Sequence, residues 1–301
     1  MKRQDEGGRI MKNLLGTIRL KDHNSDMTVD KNEKHPCFNA KAHDYARMHL
    51  PVAPKCNIQC NYCHRKYDCN NESRPGVTSD LLTPKEALHK YIEIKKKMPN
   101  LSVVGIAGPG DALANWEHTK ETLRYIRAYD QDVVFCLSTN GLKLRKYADQ
   151  LIELGVSHIT VTINTIYEDV AAKIYKYIRY DGKKYFGVEG ARLLLEEQWA
   201  GIEYLKNKDV LTKVNIVYLK GINDDHIDKI VEKAEAMGAS VTNIMGHIPV
   251  ADTPFEVLEQ ATKKEITQVR LDNMGTLPQM LHCNQCRADA VGKLGGCRSV
   301  S

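Results

Sequence analysis

The chain has 301 residues, of which 42% are hydrophobic and 27% are charged, and its formal net charge is +5. This length allows one large core or at most two domains. No apolar run reaches the ~18 residues of a membrane span, and the polar N-terminus is unlike a secretory signal, so a cytoplasmic protein with no membrane contact is expected. The charge excess is dispersed, with runs as short as the lysines at 95–97, which argues against a nucleic-acid partner.

Secondary-structure signals alternate along the chain after a polar start. Residues 1–34 lack apolar periodicity and are predicted to form a flexible N-terminal arm. One helix has a full start signal, with Thr83 as N-cap, Pro84 in the first turn and Glu86 completing a capping box. The predicted strands are 49–54, 103–108, 132–140, 158–164, 212–221 and 241–250, and the predicted helices are 82–98, 115–130, 144–155, 167–178, 190–207, 224–238 and 262–273.

The predicted strands are rich in valine and isoleucine, which is typical of a parallel sheet that helices cover. The fold class is therefore α/β, and six β–α units favour a partial (β/α)6 TIM-like barrel over a flat doubly wound sheet. Residues 35–275 are assigned to this barrel. The cysteine-bearing tail 276–301 is expected to close the cluster site, and its glycine-rich part 281–297 is predicted to be a loop held by ligands rather than by packing. In either architecture the chemistry belongs at the carboxyl ends of the strands.

Four of the nine cysteines lie in one short polar segment, CNIQCNYCHRKYDCNNESRPG, at 56–76. Disulfides are rare in a reducing compartment, so these thiols indicate metal or redox chemistry. A structural zinc site takes four ligands, commonly in C-x2-C pairs. Cys56, Cys60 and Cys63 instead have the spacing C-x3-C-x2-C directly after the first predicted strand. Three thiolates on one loop suit a [4Fe–4S] cluster with one open iron, and Tyr62 offers an aromatic ring beside it.

The motif CNIQCNYC resembles the cluster motif of the radical S-adenosylmethionine (SAM) superfamily, and the six-unit partial barrel resembles the fold of that family. The resemblance implies that the open iron chelates the amino and carboxylate groups of SAM. It also implies that one electron cleaves SAM to methionine and a 5′-deoxyadenosyl radical. A zinc knuckle remains the alternative, but it would not explain a motif at the head of a β–α array.

Other positions match segments that approach SAM in this family. GIAGPGD at 105–111 resembles the glycine-rich turn that binds the SAM amino group, and STNG at 138–141 resembles the polar patch near the ribose or carboxylate. A plain structural turn is the alternative for any single glycine. With Tyr62, the candidate SAM-contacting residues are Gly108, Gly110, Asp111, Ser138, Thr139, Asn140, Asn164 and Asn215.

Six cysteines remain beyond the three that a minimal radical SAM enzyme needs. One of them, Cys136, lies inside a predicted strand, where a small core residue is the alternative reading. The segments HPCFN at 35–39, ESRP at 72–75 and CNQCRADA at 283–290 resemble the branch of the family that assembles the nitrogenase cofactor, and the match covers 35–296. This resemblance implies two additional [4Fe–4S] clusters as substrates. They would be fused, with a SAM-derived carbide and an extra sulfur, into the 8Fe–9S–C precursor of the nitrogenase cofactor.

The same resemblance implies ligands and catalytic groups. SAM would be used twice, first as a methyl donor to a cluster sulfide and then as the source of the radical. Glu72 is assigned to proton relay, and Arg74 to pairing with anionic sulfides or the SAM carboxylate, with a surface salt bridge as the alternative. Cys297 lies outside the motif and is given no role. The provisional ligands are His35, Cys37, Cys69 and Cys136 for one auxiliary cluster, and Cys283 and Cys286 for the other.

The implied partners are SAM, an iron–sulfur cluster donor and an electron donor such as ferredoxin or flavodoxin. Some proteins of this branch carry a cofactor-carrier domain after the cysteine tail. For this chain, product transfer to a separate carrier or scaffold protein is expected. Two other functions stay open at this point. One is a radical SAM enzyme with auxiliary clusters that acts on an organic substrate, as a molybdopterin-precursor cyclase does. The other is a passive iron–sulfur scaffold or zinc-binding interaction protein.

Overall fold

The computed structural model describes residues 34–36, 38, 42, 44–71, 73–293 and 298–299. Nearly all of the predicted N-terminal arm therefore lies outside the described residues, as do the candidate ligand Cys37, the candidate catalytic residue Glu72, and Cys297. No helix in the described part of the chain is long and apolar enough to cross a membrane.

The described residues form eleven strands and seven α-helices. The strands are β1 (Ala46–His49), β2 (Ile58–Cys60), β3 (Leu101–Ile106), β4 (Val134–Thr139), β5 (Val156–Thr162), β6 (Tyr175–Tyr180), β7 (Lys183–Tyr185), β8 (Leu211–Tyr218), β9 (Val241–Gly246), β10 (Ala290–Gly292) and β11 (Arg298–Ser299). The helices are α1 (Pro84–Lys97), α2 (Trp116–Tyr129), α3 (Leu144–Glu153), α4 (Glu168–Ile174), α5 (Gly187–Leu205), α6 (Ile227–Ala236) and α7 (Lys263–Asp272).

Six parallel strands form the central sheet in the order β1-β3-β4-β5-β8-β9. A doubly wound sheet reverses its strand order at a switch point, whereas these strands follow one another in chain order. The six-unit α/β prediction is confirmed. Every residue of β3 and β5 is buried, because helices cover one face of the sheet and the barrel interior faces the other.

Helix α1 begins as the sequence predicts. The Thr83 hydroxyl accepts a hydrogen bond from the Glu86 amide, and the Glu86 carboxylate accepts one from the Thr83 amide. Pro84 occupies the first turn, where its missing N–H has no helical partner to lose. The helix buries Ala87, Leu88, Tyr91 and Ile94, a spacing that places them on one face toward the sheet.

The first strand differs from its prediction at 49–54. It lies at Ala46–His49, because Pro51 and Pro54 have no N–H to give to a strand ladder. The chain after His49 continues toward the cysteine loop with single contacts, such as the Leu50 amide to the Gly105 carbonyl oxygen at 2.9 Å. The cysteine loop therefore still begins at the carboxyl end of the first strand.

A β-hairpin replaces the second half of the helix that the sequence predicts at 167–178. The helix ends at Ile174, and β6 and β7 follow as an antiparallel pair. Asp181 and Gly182 join them with φ values of 44° and 80°, the left-handed conformations of a type I′ turn. The signal that could have found this hairpin is the Asp-Gly pair itself. Strand β6 also pairs with β2, which carries part of the cysteine loop.

The C-terminal tail is packed rather than held only by ligands. Strand β10 pairs antiparallel with β1 and extends the central sheet, and β11 pairs with β10. Ala288, Ala290 and Val291 are buried. The prediction of a loop without packing at 281–297 is wrong for β10 and the residues just before it, because small and β-branched side chains there complete the edge of the sheet.

Candidate active site

The cysteine loop forms the first of two cavities at the carboxyl ends of the parallel strands. Cys56, Cys60 and Cys63 line this cavity of about 310 Å³, hereafter the loop cavity, and all three are free thiols. The Cys63 amide donates to the Cys60 carbonyl oxygen at 3.1 Å, and Gln59 Nε2 donates to the carbonyl oxygens of Cys60 and Cys63 at 3.1 and 2.7 Å. These bonds hold the loop so that its thiols face one space.

Burial favours the neutral thiol form of these cysteines when no cation is near. Loss of solvent, with Asp111 adding to it, raises the pKa of Cys56 to about 12, although Arg65 opposes the shift. Burial also raises the pKa of Cys60 well above its usual range, and the neighbouring cysteines add to the effect. Bound iron would supply the positive charge that three clustered thiolates need, so the donor set fits an iron–sulfur cluster.

A single metal ion fits this loop less well than a cluster. Among the described residues, no three His, Cys, Asp or Glu side chains come together closely enough to hold one ion. A zinc site needs its ligands on one tetrahedral centre, whereas the irons of a cubane lie at separate corners and take one thiolate each. The spacing of the thiols around the loop cavity therefore favours the cluster over zinc.

Asp111 organises the two turns that close the loop cavity. Its Oδ2 accepts hydrogen bonds from the Thr139 hydroxyl at 2.8 Å and the Asn140 amide at 2.7 Å. Its Oδ1 accepts from the amides of Leu113 and Ala114 at 3.0 and 2.8 Å. Burial raises the pKa of this carboxyl, and the four donors oppose the shift. Both oxygens are thus engaged within the protein, and Asp111 holds the STNG turn against the GPGD turn.

Asn140 and Gly110 are the parts of these turns that reach the cysteines. Asn140 Nδ2 donates to Asn57 Oδ1 at 2.6 Å and lies 3.7 Å from Cys56 Sγ. The Gly110 amide donates to the Ala53 carbonyl oxygen at 2.6 Å. A Cβ at Gly110 would lie 2.2 Å from the Lys55 carbonyl oxygen, so only glycine allows this approach. Gly108, with φ of +131°, sits between the side chains of Ser73 and Ala288.

Tyr62 and Asn164 lie beneath the loop cavity rather than on its wall. Tyr62 is fully buried, and its hydroxyl donates to Asn71 Oδ1 at 2.6 Å and accepts from Asn164 Nδ2 at 2.7 Å. Asn164 Oδ1 accepts from the Val217 amide at 2.8 Å. These contacts tie the cysteine loop to β8, so the structure gives both residues a supporting position.

The second cavity lies inside the barrel and has a volume of about 580 Å³. This barrel cavity brings together His35, Cys136, Cys283 and Cys286, which the sequence distributes between the two ends and the middle of the chain. Ser138 and Asn215 also line it, whereas Cys69 lines the loop cavity. The structure therefore separates Cys69 from Cys136, which the provisional ligation groups together.

Two cationic side chains line the barrel cavity in addition to its thiols. Arg47 and Lys213 are on its wall, and none of its described lining residues is Asp or Glu. His49 is also on the wall, but burial and the nearby Arg47 lower its pKa to about 3, so its ring is neutral. Arg47 donates to Cys286 Sγ, and Lys213 Nζ lies 5.0 Å from the centroid of the Phe38 ring. Cationic side chains and thiols facing one space make it suited to an anionic, sulfur-containing group.

A line of asparagine side chains connects the two cavities. Asn71 Nδ2 lies 3.9 Å from Cys60 Sγ, and its carbonyl oxygen accepts from Asn215 Nδ2 at 3.0 Å. Asn243 Nδ2 donates to Asn215 Oδ1 at 3.1 Å and to Cys283 Sγ at 3.4 Å. Sequence reasoning missed Asn71, Asn243 and the basic residues of the cavity. A polar residue in each of the apolar strands β8 and β9 was the available signal.

The segment after Cys69 contacts two residues that line the barrel cavity, Ala107 and Cys286. The Ser73 hydroxyl donates to the Ala107 carbonyl oxygen at 2.9 Å, and the Arg74 amide donates to the Cys286 carbonyl oxygen at 2.9 Å. The Arg74 side chain itself is exposed. Arg287 forms an ion pair with Asp289 at 2.7 Å, which fixes the tail beside β10.

Comparisons with known proteins agree with this arrangement. The family model of the Radical SAM superfamily matches residues 50–234. The chain is similar to FeMo cofactor biosynthesis protein NifB of Chlorobaculum tepidum, at 46% identity over 264 residues, 87% of this chain and 62% of that protein. It is also similar to NifB of Rhodobacter capsulatus, at 48% identity over 273 residues, 89% of this chain and 60% of that protein. The chain thus spans about three fifths of the length of these curated relatives.

A solved structure shares the fold. Native anSMEcpe with bound AdoMet and Kp18Cys peptide aligns with a TM-score of 0.51 at 13% identity, covering 75% of this chain and 58% of that chain. The family match extends over more than half of the chain and includes the cysteine loop, both turns of the loop cavity and four of the six parallel strands, β3, β4, β5 and β8. The family's [4Fe–4S] cluster and SAM fit the thiols and turns described above, and this chain belongs to the radical SAM superfamily.

Proposed function

We propose that this chain is a radical SAM enzyme of nitrogenase cofactor assembly, with the activity implied by its similarity to NifB. It would fuse two [4Fe–4S] clusters, with a SAM-derived carbide and an extra sulfur, into an 8Fe–9S–C precursor. One observation carries the proposal. A cavity of about 580 Å³ gathers three thiols and His35 next to the radical SAM cysteine loop, and basic side chains line it without a described carboxylate.

In the loop cavity, Cys56, Cys60 and Cys63 would hold the SAM-binding cluster. When bound, that cluster supplies the electron that cleaves SAM. Gly110 leaves room beside the loop, and Asn140 presents its amide toward Cys56 Sγ. Asp111 would position Thr139 and Asn140 rather than contact SAM with its own oxygens, because both oxygens already accept hydrogen bonds. Tyr62 and Asn164 would support the loop, and Gly108 and Ser138 would border the SAM site.

In the barrel cavity, the two clusters are the substrates. Cys136, Cys283 and Cys286 line the cavity, and Cys37 would add a further thiolate, whereas Cys69 lies on the loop cavity. Arg47 and Lys213 would offset the negative charge of sulfides and thiolates in this buried space. His35 would serve as a ligand that is displaced more easily than a thiolate, which suits clusters that must be released as product.

Two residues that follow Cys69 in the sequence would serve proton and charge balance. We assign Glu72 to proton relay and Arg74 to pairing with an anionic group. The Arg74 amide already contacts the Cys286 carbonyl oxygen, so this segment is close to the tail ligands. A cluster donor, an electron donor such as ferredoxin or flavodoxin, and a cofactor carrier or scaffold would act with the chain.

Anaerobic reconstitution with iron and sulfide tests the proposal. The expected content is about 12 Fe per chain, from three cubane clusters. On reduction the protein should cleave SAM and form a product that activates nitrogenase lacking its cofactor. A rearranged organic product would favour the cyclase-like alternative. Zinc binding without SAM cleavage would contradict the proposal and favour a binding protein.

A further inference from the structure

The β-hairpin of β6 and β7 is built directly onto the cysteine loop. Cys60 pairs with Tyr175 and Ile58 pairs with Ile178 across the β2–β6 ladder. The Arg179 amide donates to the Asn57 carbonyl oxygen at 2.7 Å, one residue from Cys56. The hairpin is exposed to solvent. It hydrogen-bonds to the backbone near both ends of the segment 56–60, which joins two of the cluster cysteines.

The outer face of this hairpin carries like charges side by side. Arg179 and Lys184 are directly opposite partners in the β6–β7 ladder, and both side chains are exposed. Opposed like charges destabilise a strand pair, so folding alone does not favour this arrangement. Lys184 Nζ lies 4.7 Å from the centroid of the Tyr177 ring, and the neighbouring Phe186 is 59% exposed. Tyr177, Phe186 and Arg179 are of the residue types that are enriched at protein interfaces.

The charge of the hairpin is not balanced within the described part of the chain. Its exposed basic residues are Lys176, Arg179, Lys183 and Lys184, and none of the four forms an ion pair with a described carboxylate. Asp181 at the turn is the acidic residue within β6–β7. The other face packs toward α5, where the Tyr180 hydroxyl donates to Glu197 at 3.4 Å.

The buried cysteines give this surface a specific use. Cys60 and Cys63 are 5% and 7% exposed, so an external reductant must act through the protein surface nearest the loop. We propose that the outer face of the hairpin, centred on Arg179, Lys184 and Phe186, is the docking surface for an acidic one-electron carrier protein. This inference rests on the proposed radical SAM function. The carrier loses one electron and the cluster of the loop cavity gains it, with no proton or leaving group in that step.

Charge complementarity makes the interaction testable by charge reversal. The variant Arg179→Glu/Lys184→Glu should raise the dissociation constant for an acidic [4Fe–4S] ferredoxin about tenfold at low salt, and the difference should shrink as salt is added. Binding is measured by calorimetry on the protein before cluster loading and again on the reconstituted protein. Ferredoxin-driven SAM cleavage should fall by a similar factor, whereas cleavage driven by dithionite should be unchanged.

Two further variants keep the result interpretable. Arg179→Glu alone should form a favourable cross-strand pair with Lys184, so the hairpin stays folded while the surface loses charge. Lys96→Glu/Lys97→Glu on the exposed end of α1 changes the net charge by the same amount away from the hairpin and should leave ferredoxin affinity unchanged. Equal loss in this control, or no loss in the hairpin variants, would overturn the docking proposal. Failure of the unmodified protein to cleave SAM with dithionite would instead count against the proposed function.

Discussion

Asn215 and Asn243 are register partners on β8 and β9, and Asn243 Nδ2 donates to Asn215 Oδ1 at 3.1 Å. The same amide group reaches Cys283 Sγ at 3.4 Å, while Asn215 Nδ2 reaches the Asn71 carbonyl oxygen at 3.0 Å. Two side chains on adjacent strands thus join the cysteine loop to the cysteine tail.

Replacing Asn243 with leucine should loosen this connection. Asn243→Leu keeps a similar volume but removes the donor to Asn215 and Cys283, and it leaves the buried Asn215 oxygen unsatisfied. We expect the free energy of unfolding to fall by roughly 1–3 kcal/mol, measured by urea denaturation. The yield of the eight-iron product should fall as well. Ile244→Val, on the neighbouring buried position, removes one methylene group and serves as control, with a stability loss of about 1 kcal/mol and a normal yield.

Cys60→Ala should abolish SAM cleavage. Cys60 is one of the three loop-cavity thiols assigned to the SAM-binding cluster, and a cubane held by Cys56 and Cys63 alone would lose an anchor. The reconstituted variant should contain about four iron atoms fewer per chain, as measured by iron analysis. Deoxyadenosine production at the unmodified rate would refute the role of Cys60.

Cys283→Ala should separate the two cavities functionally. Cys283 lines the barrel cavity and not the loop cavity, so SAM cleavage on reduction should persist. Formation of the eight-iron product should be impaired, because one thiol of the substrate-binding set is missing. The readout is activation of nitrogenase that lacks its cofactor. Normal activation by this variant would show that the tail does not bind a substrate cluster.

Gly110→Ala should be destabilising and inactive. The added Cβ would lie 2.2 Å from the Lys55 carbonyl oxygen, and backbone must move to relieve that contact. We expect a loss of about 3 kcal/mol in the free energy of unfolding, together with loss of SAM cleavage. Gly275→Ala is the matched control, since a Cβ there meets no atom within 4 Å. A Gly110→Ala protein as stable as this control would contradict the close approach of Gly110 to the Lys55 carbonyl oxygen.

The features that the sequence by itself determined are those whose contacts lie within a few residues or recur with a simple period. The capping box of α1 needs only Thr83 and a glutamate three residues later. The spacing of Cys56, Cys60 and Cys63 places three thiols on one loop, and the valine- and isoleucine-rich segments predict six parallel strands. Local backbone geometry and burial on both faces are sufficient to produce these elements.

Only the tertiary structure decided which distant groups meet. Assembly of the partial barrel brings Cys283 and Cys286 to the barrel cavity, which Cys136 also lines. Cys69 lies on the loop cavity instead, although it is nearer to Cys136 along the chain than the two tail cysteines are. The pairing of β10 with β1 and the attachment of the hairpin to β2 likewise join segments far apart in sequence. No local propensity encodes such contacts, because their free energy is gained only when the whole sheet has assembled and its edges have found partners.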